Sequence, residues 1–155
     1  MELNCDMGEA FGIYSFGADE ALMEHVGLAN VACGFHGGDP VVLQETVRLA
    51  KSHDVRVGAH PSYPDREGFG RRAMEMPREE LAACLIYQIG ALTGFLQAES
   101  MSLSHVKPHG ALRTWTTPGA VPKAKSSRRA PERSTAWARM PAGPGSTCSG
   151  LRSGT

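Results

Sequence analysis

The sequence predicts an α/β fold over residues 1–112, with parallel strands alternating with helices laid outside them, and a tail of different character over residues 113–155. Three observations lead there. Four short β-like runs alternate with three helical periodicities. Ionisable residues gather at the ends of the β-like runs. After Leu112 the apolar periodicity stops.

The elements follow in order. Residues 1–5 (MELNC) read as a strand ending at Asp6. Residues 18–26 (ADEALMEHV) read as a helix, with Ala18, Leu22 and Val26 four apart. Residues 28–33 (LANVAC) form a second strand. Asp39–Pro40 opens a helix, because Asp caps free N–H groups and Pro suits the first turn. That helix runs to about His53, with Val42, Thr46, Leu49 and Ala50 on one face. Residues 55–60 (VRVGAH) make the third strand. Pro77, followed by Glu79 and Glu80, starts a long helix to about Glu99, with a stripe of Leu81, Cys84, Leu85, Gln88, Leu92 and Leu96. Residues 103–107 (LSHVK) make a fourth strand before Pro108.

Composition divides the chain at the same place. The formal net charge is zero, yet residues 1–112 hold 8 Lys and Arg against 15 Asp and Glu, and residues 113–155 hold 8 against Glu132 alone. The tail is rich in Pro, Gly, Ser, Thr and Arg. Such a segment buries too little apolar area to offset backbone ordering of roughly 1–2 kcal/mol per residue, and it is expected to be disordered. Nucleic-acid binding is not expected of it, since Trp115 and Trp137 lie far apart and its arginines follow no helical spacing. No run approaches 18 apolar residues and no leader pattern opens the chain, so neither a membrane span nor a signal peptide is expected. Cys5, Cys33, Cys84 and Cys148 lack CxxC spacing and read as free thiols of a cytoplasmic protein.

Four β-like runs end in "NCDMGE" (4–9), "CGFHGGD" (33–39), "AHPSYPDREGFGRR" (59–72) and "HVKPHG" (105–110). In a parallel β/α array the C-terminal strand ends share one face, so Asp6, His36, His60, Lys107 and His109 are expected to converge as catalytic residues. A carboxylate such as Asp6, or a histidine, can act as general base, and Lys107 can hold a developing oxyanion. Asp6, His36 and His60 are also an adequate first shell for a divalent metal, although no HExxH or HxxxH spacing occurs. Gly34, Gly37 and Gly38 permit close backbone approach and positive φ beside His36. No phosphate-binding GxxxxGK[ST] loop is present. In the loop 61–72, Arg66, Arg71 and Arg72 offer forks for a substrate carboxylate or phosphate; the loop reads either as a lid or as a surface loop held by its own ion pairs with Asp65 and Glu67. His25 and His53 are expected to be solvated, and Met74 and Met76 to pack.

"LNCDMGE", "ANVACGFHGGDP", "GAHPSYPDREGFGRR", "YQIGAL" and "HVKPHGAL" together resemble the LamB/YcsF family, the A subunit of the bacterial 5-oxoprolinase, across residues 1–112. The resemblance implies the N-terminal half of an irregular parallel β/α barrel related to the polysaccharide deacetylases. It implies ATP-dependent opening of 5-oxo-L-proline (pyroglutamate) to L-glutamate together with partner subunits B and C. Asp6, His36, His60, Lys107 and His109 fall on the family's motif positions. Arg113 stands where the family continues with a tyrosine and a helix, and nothing beyond it resembles the family. A frameshift would produce such a break, and the expectation is a truncated chain, inactive alone. Two other functions fit: a stand-alone metal-dependent amide or N-acetyl hydrolase, and a non-catalytic scaffold that docks the partner subunits.

Overall fold

A computed structural model describes residues 2–15 and 17–115. The expected disordered, frameshift-derived tail over residues 113–155 lies outside the described residues from 116 onward, while residues 113–115 are helical, contrary to that expectation. The elements run β1 (Asn4–Met7), α1 (Asp19–Met23), β2 (Leu28–Ala32), α2 (Pro40–Ser52), β3 (Arg56–His60), α3 (Arg78–Ala98), β4 (His105–Val106) and α4 (Leu112–Trp115). All four strands are parallel, in the order β1-β2-β3-β4. Sequential order with parallel neighbours is how the wall of a β/α barrel winds, each helix covering the step between two strands.

Strand alternation sorts the sheet into two chemically different faces. Met7, Ala29, Val31, Val57 and Ala59 point to one side and pack with residues of α2 and α3, including Leu43, Val47, Leu92 and Leu96. The intervening positions are polar or small. Asp6 is in register with Asn30, Asn30 with Gly58, and Gly58 with His105. Gly58 has a steric reason: a Cβ there would collide with the His105 ring. That ring crosses β3 to set its Nε2 2.7 Å from Asn30 Oδ1 on β2.

The helices form for the reasons read from the sequence. Asp39 caps α2, its carboxylate accepting from the amides of Val41 and Val42 at 2.9 and 3.0 Å, with Pro40 at the first helical position. The buried face of α2 is Leu43, Thr46, Val47 and Ala50, rotated from the expected stripe; Val42 and Leu49 are only half-buried. The run Val41-Val42-Leu43 leaves the phase of the apolar face open, and packing on Val31 and Val57 decides it. In α3, Leu81, Gln88, Leu92 and Leu96 are buried, as the stripe predicts, while Cys84 and Leu85 are half-buried.

Among the described residues α3 is the helix long and apolar enough, by length and composition, to cross a membrane. It lies against the sheet, and its buried Gln88 grips the chain after β3. Gln88 Oε1 accepts from Ser62 N at 2.9 Å, and Nε2 donates to Ser62 O at 2.9 Å and to Cys84 O at 3.2 Å. Cys5, Cys33 and Cys84 are free, and Cys148 lies outside the described residues.

Candidate active site

The loops after β1, β2, β3 and β4 meet at one end of the sheet, as the strand-end argument requires. Asp6, at the end of β1, has both carboxylate oxygens engaged. Oδ1 accepts from Lys107 Nζ at 2.5 Å and from Asn30 Nδ2 at 2.8 Å, while Oδ2 lies 3.4 Å from His60 Nε2. His60 beside it, with Lys107 and Asn30, holds the Asp6 carboxyl well below the usual carboxylate range. Asp6 is therefore a fixed negative charge near neutral pH and a poor base. This bears on its expected general-base role.

Three histidines stack behind that pair. His36, His60 and His109 are 2%, 1% and 5% exposed. The His36 and His109 rings lie parallel with centroids 3.7 Å apart, and His60 meets both edge-on at 5.4 and 4.8 Å. His109 Nδ1 is 2.9 Å from His60 Nε2. Glu9, in the loop after β1, reaches in with Oε1 3.2 Å from His36 Nε2 and 3.9 Å from His109 Nδ1. Burial lowers the pKa of His36 and lowers that of His109 to about 4, so both rings are neutral at pH 7. Glu9, His36, His60 and His109 bring one ligand atom each within 4.8 Å of one another, a group that could hold a metal ion. Asp6, expected among the ligands, stands beside this group and is tied to Lys107.

Local backbone explains how Glu9 arrives. A Cβ on Gly37 would sit 2.9 Å from the Glu9 carbonyl oxygen, so the β2 loop presses directly on the backbone carrying that carboxylate. Gly38 has φ +78°, and a Cβ there would approach the Gly8 carbonyl oxygen to 2.9 Å. The "GFHGG" run thus docks the β1 loop on the β2 loop.

The three arginines of the loop 61–72 part company. Arg66 donates to the carbonyls of Gly34 and Gly38 and lies over the Phe11 ring, 3.6 Å from its centroid. Arg72 pairs with the buried Asp65, which also accepts from Gly68 N at 3.0 Å. Arg71 lines a cleft of about 440 Å³ together with Asp6, His60, Lys107, His109 and Arg113. The loop is fastened at several points: Ser62, Tyr63 and Asp65 are buried, and the Phe69 carbonyl lies 2.9 Å from His109 Nε2. It forms a floor for the site, against the lid reading; its ion pairs are those of the alternative, though its buried side chains make it more than a surface loop. His25 and His53 are exposed, and Met74 and Met76 pack against Tyr63, Leu81 and Leu112.

Glu9, Asn30 and His105 were not singled out from the sequence. Glu9 had a signal, lying three residues after Asp6 in the same strand-end motif. Asn30 and His105 look like ordinary strand residues until the register places them on the polar face.

Comparison with known proteins agrees with this frame. The family model described as LamB/YcsF family matches residues 1–120, past the expected boundary at Leu112. The A subunit of the 5-oxoprolinase of Pyrococcus horikoshii is 57% identical over 112 residues, covering 72% of this chain and 44% of that one. A lactam utilization protein of Emericella nidulans is 56% identical over 110 residues, covering 71% and 44%. The crystal structure of a lactam utilization protein from Thermus thermophilus matches with TM-score 0.70 and 56% identity, covering 72% of this chain and 45% of that one. The chain thus spans less than half the length of these relatives. With the motifs, the sheet order and the family match in agreement, this chain belongs to the LamB/YcsF family.

Proposed function

We propose that the chain carries the A-subunit half-site of an ATP-dependent 5-oxoprolinase, which opens 5-oxo-L-proline to L-glutamate with partner subunits B and C. The observation that carries the reading is the cleft in which Asp6, Lys107, His60, His109 and Arg71 converge, in a chain whose relatives are named as the A subunit of 5-oxoprolinase. A lactam is a poor electrophile. Phosphorylation of its carbonyl oxygen by ATP, with release of ADP, makes the ring carbon electrophilic; water adds to that carbon, the C–N bond breaks as the nitrogen takes up a proton, and a second water hydrolyses the resulting acyl phosphate to glutamate and phosphate.

The chain's own residues suit this chemistry. Lys107, held by Asp6, presents a cation to the carbonyl oxygen as negative charge develops there. His60 Nε2 and His109 Nδ1, 2.9 Å apart at the cleft wall, are the nitrogens that can take up or deliver a proton there. Arg71 is the arginine proposed for the substrate carboxylate, while Arg66 and Arg72 keep the loop in place. His36 supports the wall by stacking on His109.

The described half does not close the site. Val106 on β4 is 45% exposed, and β4 pairs with β3 alone among the described strands. The reading includes inactivity of the chain by itself. Glutamate release measured with ATP, 5-oxoproline and the B and C partners tests it, with either this chain or a full-length relative completing the enzyme. The relative should turn over, and this chain should neither replace it nor act without partners.

A second reading, a metal-dependent amide or N-acetyl hydrolase, is favoured by the Glu9, His36, His60 and His109 group. Turnover of an amide on adding a divalent metal, without ATP or partners, would decide for it. Pull-down of the partner subunits with no turnover under any condition would leave the docking scaffold.

A further inference from the structure

The hydrogen bonds around His60 and His109 fix the direction in which each ring presents its second nitrogen, and those nitrogens face a shared space. A backbone carbonyl can only accept. His60 Nδ1 lies 2.6 Å from the Lys107 carbonyl oxygen and must donate to it, so the neutral ring carries its lone pair on Nε2. His109 Nε2 lies 2.9 Å from the Phe69 carbonyl oxygen and must donate to it, so its lone pair is on Nδ1. These two bare nitrogens face each other at 2.9 Å in a buried setting. Glu9 Oε1 reaches the same cluster, 3.2 Å from His36 Nε2 and 3.9 Å from His109 Nδ1.

We infer that Glu9, His36, His60 and His109 form a binding site for one borderline divalent cation, of the zinc or cobalt kind, and that Asp6 is not among its ligands. His60 and His109 show the pattern of ligating histidines, donating the far N–H to a carbonyl while the near nitrogen faces the cluster. Three imidazoles and one carboxylate suit a borderline metal. A proton between His60 and His109 would satisfy that pair only; a metal also engages the Glu9 carboxylate and His36. Asp6 is held through Oδ1 by Lys107 and Asn30, and although its Oδ2 lies 3.4 Å from His60 Nε2, it stands outside the group whose ligand atoms lie within 4.8 Å of one another. The inference stands on side-chain geometry and does not depend on the lactam reading.

The test is Co²⁺ titration of the full, untagged chain after chelator treatment, followed by visible absorption and by X-ray absorption of the cobalt-loaded protein. One Co²⁺ per chain is expected, with at least three imidazole ligands and no thiolate charge-transfer band. His60→Gln and His109→Gln should each weaken binding by more than about 100-fold, beyond the roughly tenfold to 100-fold expected from loss of an outer partner. Asp6→Asn should stay within about tenfold of the parent. Absence of stoichiometric binding, a thiolate signature, fewer than three imidazoles, or equal loss in Asp6→Asn would each overturn the assignment. The ligand count on the parent protein decides the matter even if a histidine variant fails to fold.

Discussion

Replacing Gln88 by leucine tests how α3 holds the floor of the site. The two side chains are close in volume, so the change isolates polar pairing from cavity formation. Gln88 and Ser62 are both fully buried, and Gln88 satisfies both the N–H and the C=O of Ser62. The leucine leaves both backbone groups unpaired in a dry setting, each costing about 1–3 kcal/mol, or about 2–6 kcal/mol together. That is a large part of the roughly 5–15 kcal/mol that stabilises an ordinary domain. With a urea m-value of about 1–3 kcal/mol/M, the midpoint should fall by about 1–3 M. Far-UV circular dichroism against urea measures it. Thr93→Val is the control, since the Thr93 hydroxyl donates to Ile89 O, a carbonyl within the same helix. Equal midpoints for the two variants would refute the claim that Gln88 anchors the chain beyond His60.

Other outcomes follow from the same geometry. Gly38→Ala forces a side chain into φ +78° against the Gly8 carbonyl and should cost about 1–3 kcal/mol by urea titration; an unchanged midpoint would contradict the described contact between the β1 and β2 loops. Arg72→Ala strips Asp65 of its guanidinium partner and should lower the urea midpoint, whereas Arg71→Ala should leave it unchanged and weaken 5-oxoproline binding by calorimetry. The reverse pattern would exchange their roles. In metal-free buffer, acid should destabilise the protein. His109 is held neutral, with its folded pKa lowered to about 4, so the unfolded state binds more protons as pH falls from about 6.5 toward 4, and stability falls with it. Asp6, with its pKa lowered in the fold, adds stability that is present above the unfolded value of about 3.9 and lost as pH falls further. A urea midpoint that rises as pH falls from about 6.5 to 4 would contradict the sign for His109, and one that rises as pH falls below about 3.9 the sign for Asp6.

Much of the fold was legible because local chemistry and tertiary placement agree. Asp39–Pro40 reads as a helix start from residue types alone, and the structure uses it as one. Parallel order follows from alternating strands and helices, and the convergence of Asp6, His60, Lys107 and His109 follows from parallel order. The apolar face of α2 was misjudged because consecutive apolar residues at 41–43 carry no phase. β1 falls later than expected, at Asn4–Met7, since register with Leu28–Val31 decides its ends.

The proposed metal set changed for a related reason. Asp6 is a good ligand by type, yet it is bound to Lys107 from the far end of the sheet, a pairing that no spacing encodes. Glu9 and His109 enter because Gly37 and the Phe69 carbonyl orient them. Backbone placement of that kind follows from packing, and the residue types alone do not reveal it.

The central claim is that the strand-end cleft of Asp6, His60, Lys107 and His109 is where the lactam binds. Long-range ¹H–¹⁵N NMR of the histidine side chains, with 5-oxoproline added to the full chain, tests it most directly. The account predicts saturable shifts at the imidazole nitrogens of His60 and His109, with the exposed His25 and His53 unmoved. Unmoved His60 and His109 resonances at saturating ligand, or shifts confined to residues outside the cleft, would contradict it.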